Sequence, residues 1–432
     1  MGFGGGMEFS QDIGHCFAGK VGGGLSRGVY HTLLAEAEVC ISRLVAQKRD
    51  GSLPLLSLPG FSGDIARLRP VAERLGDLCD DLVILGTGGS NLGAKALTGA
   101  SPAGARPVLH FPDNLDGGEF RDLLEFLDPA RTAFLVISKS GSTAETLSQA
   151  IVVIGWLRER LSAGAVGGHV VAITEPGDNP LRRLAARWNI ECLDHDPGIG
   201  GRFSVLSLVG LLPLMVQGMD IAAVREGALP VLESCFNDPE APPVAGAAVM
   251  VGLMRGGGIA AHVLLPYASR LKNLTLWHRQ LVAESLGKDG MGITPLDALG
   301  PVDQHSQLQL WLDGPADKMF TLITIEDGYS GPPIDLSLCG DDPALDYLAG
   351  RGIGDVVAAE ARATRETLIA KGRPLRHITL PAITPAAMGA LFMHFMLETI
   401  VAAHLLGIDP FDQPAVETGK RLTRRYLRDG RE

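Results

Sequence analysis

Hydroxyls crowd one short stretch of the chain. Ser138, Ser140, Ser142 and Thr143 surround Gly141 within FLVISKSGSTAETLSQ (134–149), just after four apolar residues and just before a helical pattern. An apolar run followed at once by small polar residues reads as a buried parallel strand feeding a turn. Glu145 follows Ser142 by three, so Ser142 is the expected N-cap and Glu145 its capping-box partner. Backbone N–H groups at a helix start, reinforced by hydroxyls, suit a phosphate dianion. Ser and Thr also gather at helix starts for no purpose but capping, and the stretch taken alone leaves both readings open.

A second small-residue loop, GTGGSNLG (86–93), also ends a strand-like run. Gly86 and Gly88 fit the first two positions of a dinucleotide fingerprint, but Asn91 stands at the third. Asp113 lies at a workable distance for the acidic residue that would hold a ribose, so a nicotinamide cofactor remains an alternative. The other reading is that Gly88 and Gly89 let backbone approach a ligand closely while Ser90 offers a hydroxyl. Together with Ser138, Ser140 and Thr143, that favours a sugar phosphate over a pyrophosphate. No G-x-x-x-x-G-K-[ST] loop occurs, so an ATP-driven reaction has no support. Asp113, Asn114 and Asp116 form an Asx-rich turn, a common structural feature.

The elements that must position these residues alternate. Strands are expected at 81–86, 108–111, 134–137, 169–174 and 190–193, with helices at 69–78, 119–127, 144–161 and 179–188, Pro70 falling in a first helical turn. Such alternation predicts a parallel sheet with helices on both faces and a ligand at the carboxyl ends of its strands. The apolar stretch 200–216 follows as a helix. A second α/β region starts near 242, with strands at 262–266, 320–325 and 377–380 and helices at 271–286, 354–371 and 385–406. A helix over 27–47 precedes all this and another over 418–428 closes it. The fold class is therefore α/β, with two doubly wound parallel-sheet domains and helical segments at both ends. The expected division is 1–60, 61–216, 217–407 and 408–432, and the style of the two halves suggests that they are related.

Composition narrows the partners. The chain has 432 residues, 46% of them hydrophobic, enough for two large cores. A net charge of −11 argues against a nucleic-acid partner. The basic cluster Lys420, Arg421, Arg424, Arg425 and Arg428 is the local exception and reads as a solvated helix face. Six scattered cysteines without metal-like spacing point to reduced thiols and a cytoplasmic location. The start, MGFGGGMEF, lacks the basic and apolar regions of a signal peptide, and MGFGGG reads as a frayed tail. The apolar tract 385–408 is interrupted by His394, Glu398 and His404. It reads as a buried helix and not as a membrane span.

LGTGGSNLG, ISKSGSTAET, GGRFS, QLVAESLGKDG, DQHS and DPFDQPAVETGK occur in the order found in glucose-6-phosphate isomerases, which the chain resembles from Leu85 to Lys420. It looks like the compact bacterial form, and GPVDQHSQLQLWLDGPADK resembles the isomerase portion of transaldolase–isomerase fusions. Ala415 and Leu286 depart from the family's usual residues. The resemblance implies sugar isomerase (SIS) domains, a sugar-phosphate substrate, a homodimer, and neither cofactor nor metal.

Interconverting an aldose and a ketose phosphate moves a proton between C2 and C1 through an enediol. It needs a base, a cation for the developing oxyanion, an acid–base for ring opening and a phosphate anchor. The resemblance assigns Glu284 as base, Arg202 to the enediolate charge, His305 to ring opening at the partner's site, and Lys420 to the ring oxygen. It puts Gly88, Gly89, Ser90, Ser138, Lys139, Ser140 and Thr143 around the substrate. Read without it, Glu284 and Lys288 would be a surface i, i+4 ion pair. Arg202 would be a solvated turn residue, and His305 and Lys420 ordinary surface groups. Two rivals follow: a phosphosugar sensor without catalysis, which would need only the hydroxyls, and a nicotinamide-dependent dehydrogenase.

Overall fold

The computed structural model describes residues 6–326, 329–340 and 342–430; Met1–Gly5 of the expected tail lie outside them. Among the described residues, ten strands build two five-stranded sheets. In chain order they are β1 (Ser10–His15), β2 (Asp81–Leu85), β3 (Val108–His110), β4 (Thr132–Ile137) and β5 (Val170–Thr174). They continue with β6 (Glu191–Asp194), β7 (Ala261–Pro266), β8 (Thr294–Asp297), β9 (Lys318–Ile325) and β10 (Leu375–Leu380).

The first sheet runs β3-β2-β4-β5-β6 and is parallel throughout. Every residue of β4 and β5 is buried, which is why these strands are unbroken apolar runs in the sequence. After β2 the chain moves to one side, to β3, and then crosses to the other side, to β4. The loops leaving β2 and β4 therefore flank a topological switch point, the usual crevice for a ligand in such sheets.

The second sheet runs β1-β10-β9-β7-β8 and repeats this order, with β7 in the place of β2. Its fifth strand is the exception to an all-parallel expectation. β1 comes from the amino-terminal segment and pairs antiparallel to β10, Ser10 opposite Thr379. β8 and β1 are both edge strands without a strong apolar run, and neither was expected from the sequence.

Helices cover both faces. The helix Pro385–Leu406 packs against Ile221–Asn237 and Pro242–Gly257 and forms the centre of the largest apolar core. By length and composition it could cross a membrane, but 94% of its apolar window is buried within this chain. Its polar interruptions are absorbed locally. Glu398 pairs with the fully buried Arg376 of β10, and His394 lies 3.1 Å from the same carboxylate. Gly246 faces this pair, and a Cβ there would lie 2.9 Å from the Glu398 carboxyl carbon.

Two local expectations change. Pro70 is not in a first turn, because its helix begins earlier, at Gly63 (Gly63–Leu78). The stretch 200–216 is not one helix but a 3-10 turn, Gly201–Leu206, followed by the helix Leu208–Val216, which Ser207 caps.

Candidate active site

At the end of β4, Ser138 is buried and donates its hydroxyl to Thr143 Oγ1 at 2.9 Å. The Ser140 and Ser142 hydroxyls lie 3.0 Å apart. Gly141 has φ +61°, and a Cβ there would meet Thr174 Oγ1 at 2.9 Å, so the turn needs glycine on both counts. The helix Ala144–Arg160 has Thr143 as its N-cap, not Ser142, and no side chain caps it. The capping box with Glu145 does not form, because the hydroxyls are bonded to one another. The first-turn amides are thus free of side-chain caps, which is the condition an anion requires. One residue escaped the sequence reading: Thr146, fully buried in that first turn with its hydroxyl unpartnered. Its spacing of three from Thr143 was the available signal.

At the end of β2, Gly88 has φ +55° and lies against the side chain of Gln280, whose Nε2 would be 2.7 Å from a Cβ. Gly89 abuts the backbone of the 3-10 turn, and a Cβ there would lie 2.6 Å from Arg202 N. These two glycines admit neighbouring protein as well as any ligand. Ser90 is half-buried at the same strand end. Asn91 is buried and donates Nδ2 to Gly86 O at 3.1 Å, closing the turn on itself. Asp113, which a nicotinamide site would have used, is paired with Lys95 at 2.8 Å.

That close packing seats the buried Arg202 beside the helix Lys272–Leu286. Its Nε donates to Ser285 Oγ at 2.8 Å, and its Nη1 to Glu284 Oε2 at 3.2 Å and Gln413 Oε1 at 2.7 Å. Its Nη2 donates to the carbonyls of Pro410 and, at 3.0 Å, Asp412. Burial lowers the Arg202 pKa from its ordinary value, with Glu284, Asp412 and Asp409 opposing that shift. A guanidinium stays charged all the same. Glu284 also accepts from Gln280 Nε2 at 2.9 Å.

The surface pair Glu284–Lys288 does not form. Lys288 instead bonds Asp412 at 2.7 Å and the Asp409 carbonyl. Gly287 keeps a negative φ, and the chain turns after it through Asp289 and Gly290, both at positive φ. Gln280 and Gln413 were missed by the sequence reading; Gln280 precedes Glu284 by one helical turn and so shares its face.

Thr87, next to Gly88, joins the two loops, since it lines a cavity of about 460 Å³ with Ser140, Ser142 and Thr143. Lys420, on the helix Glu417–Asp429, borders the same cavity and pairs with Glu417 at 2.7 Å. Lys139 is engaged elsewhere, by Pro197 O at 2.9 Å and Glu175 at 3.4 Å. His305 stands exposed at the end of the turn Val302–Gln304, held by its backbone to Val302 O, and joins neither group. A separate apolar groove of about 420 Å³, between the helices Gly117–Phe126 and Ala144–Arg160, contains none of these residues.

Twinned, mostly parallel sheets, with a hydroxyl-lined helix start and a carboxylate–guanidinium pair at one switch point, define an α/β protein of the sugar-isomerase type. The chain belongs to the phosphoglucose isomerase family, whose model matches residues 72–294 and 350–431. The intervening 295–349, which hold His305, lie outside that match. A glucose-6-phosphate isomerase of Rubrobacter xylanophilus is 40% identical over 84% of this chain and 85% of its own length. One of Thermus thermophilus is 37% identical over 91% and 95%. A crystal structure of a hypothetical protein, also from Thermus thermophilus, superposes with a TM-score of 0.87 at 34% identity, covering 97% of this chain and 99% of that one. A glucose-6-phosphate isomerase of Chlamydia trachomatis shares the fold, with a TM-score of 0.74 at 22% identity over 84% of this chain and 72% of that one.

Proposed function

We propose that this protein interconverts glucose 6-phosphate and fructose 6-phosphate. The observation that carries the proposal is the half-exposed Glu284 carboxylate held against the buried Arg202 at a glycine-lined strand end. Glu284 takes the proton from C2 of the opened aldose and returns it to C1, while the C2 hydroxyl gives up its proton and O1 gains one, so one C–H and one O–H bond break and one of each forms. Negative charge grows on the substrate oxygen meanwhile, and Arg202 Nη1 is the donor assigned to it, the substrate taking the place of one of its two present acceptors, Glu284 Oε2 or Gln413 Oε1. The phosphate rests in the hydroxyl cradle of Ser138, Ser140 and Thr143, with the first-turn amides, while Gly88, Gly89 and Ser90 line the sugar. Gln280 and Gln413 complete the polar surroundings, and Thr146 lies buried behind the cradle. Lys420 assists at the ring oxygen. The net change is internal to the substrate, so the reaction as proposed needs no cofactor or metal.

The relatives' names support this reading. So does the sharing of one cavity by Lys420 and the cradle. The protein acts in the cytosol as a homodimer, His305 of the partner subunit opening the sugar ring. The division is 61–216 and 217–407, the segment 1–60 completing the second sheet and 408–432 bringing Lys420. The test is conversion of fructose 6-phosphate in a coupled assay, with and without chelator; no turnover overturns the proposal. Mixing inactive His305→Ala with inactive Glu284→Gln subunits is expected to restore part of the activity. Mixtures that stay inactive would remove the partner's histidine from the site.

A further inference from the structure

Three cations stand near the hydroxyl cradle, and two already have partners. Lys139 is held by Pro197 O and Glu175, and Lys420 by Glu417. The third is Arg424, one turn beyond Lys420 on the helix Glu417–Asp429, which borders the same cavity as Ser140 and Thr143. Among the described residues Arg424 joins no ion pair. The charged groups lining that cavity are Glu145, Glu417, Lys420 and Arg424. Two carboxylates thus offset two cations, and a phosphate dianion adds two further negative charges. Without Arg424 the lining alone would be net negative and would oppose the ligand. A guanidinium fork is also the side chain best shaped to grip phosphate oxygens.

We infer that Arg424 is a phosphate-binding residue that closes over the substrate's phosphate from the carboxy-terminal helix, opposite the hydroxyl cradle. The inference rests on the proposed sugar-phosphate site. It also gives the basic helix a use other than solvation. The rival role is an answer to Glu417 on the same helix, whose carboxyl Lys420 and Arg424 hold below its usual range, which needs no ligand.

The test uses the full-length protein and Arg424→Ala, Arg424→Gln and Arg424→Lys. Arg424 is exposed, so these variants are expected to fold. Two readouts are taken: the kinetics of fructose 6-phosphate turnover, and protection by inorganic phosphate against thermal unfolding, which involves no reaction. Loss of a charge-assisted contact should raise KM and the phosphate concentration for half-protection by about tenfold or more. The change falls on KM and not on kcat, because ground and transition states share the phosphate. Arg424→Lys should recover part of it. Unchanged KM and unchanged protection in Arg424→Ala would overturn the inference in favour of the Glu417 role. So would a fall in kcat alone. Wild type that is protected by phosphate yet turns over no sugar would refute the isomerase reading and leave Arg424 still measurable.

Discussion

Replacing Glu284 with glutamine removes the basic lone pair and almost nothing else. The side chain keeps its volume, and one oxygen can still accept from either Gln280 or Arg202. Arg202 retains four other acceptors: Ser285, Gln413 and the Pro410 and Asp412 carbonyls. Glu284 is about one-third exposed, so the lost ion pair is screened and should cost no more than about 1 kcal/mol of stability. Loss of a positioned general base costs about 10²- to 10⁴-fold in rate, which is about 2.7–5.5 kcal/mol of barrier. The two effects therefore separate. Glu284→Gln should melt near wild type, bind fructose 6-phosphate nearly as well, and fall in kcat by two to four decades. The decisive assay follows deuterium exchange from solvent into C2 of glucose 6-phosphate by NMR, since exchange reports proton abstraction itself. Exchange at the wild-type rate in the variant would remove Glu284 as the base, whatever the overall turnover.

Thr143→Ala and Ser140→Ala each take a hydroxyl from the cradle, about 1.5–3 kcal/mol for a bond to a charged oxygen, and steady-state kinetics should show KM rising with kcat little changed. Gly89→Ala drives a methyl group into the backbone of the turn bearing Arg202; circular dichroism should show a folded protein destabilised by about 1–3 kcal/mol, with turnover largely abolished. Burial holds the His278 pKa down at about 3 and that of His377 at about 4, so both stay neutral in the folded protein while their unfolded counterparts protonate below about 6.5. Stability is therefore present above that pH and lost on acidification, by up to about 1.4 kcal/mol per pH unit for each imidazole, until its folded pKa is reached. Urea midpoints between pH 7 and pH 5 should fall accordingly, and His278→Gln should flatten the slope.

The central parallel strands were legible because, buried on two faces, they must be apolar almost end to end. β4 and β5 stand out for that reason, whereas β8 and β1 do not, being edge strands free to carry polar residues. The hydroxyl loop was legible as a cluster, but not its inner bonding. Local spacing named Ser142 as the cap, and only the fold reveals Ser140 as the partner of its hydroxyl. Local spacing likewise paired Glu284 with Lys288. The actual partners, Arg202 and Asp412, come from 82 residues before Glu284 and from the loop ahead of the last helix. The buried Arg376–Glu398 pair showed in sequence only as a polar break in an apolar helix, since its guanidinium comes from a strand 22 positions earlier.

The first sheet draws all its strands from residues 81 to 194, so its pairings close early as the chain leaves the ribosome. The second cannot close that way. β1 waits for β10, a partner 369 positions away for Ser10, and until β10 emerges it has no edge on which to dock. During that interval the polar, half-exposed face of β1 is a safeguard, because a strand of that composition is a poor nucleus for pairing with other chains. The order of synthesis thus runs against the order of assembly at one edge, and the composition of β1 suits a strand that must wait.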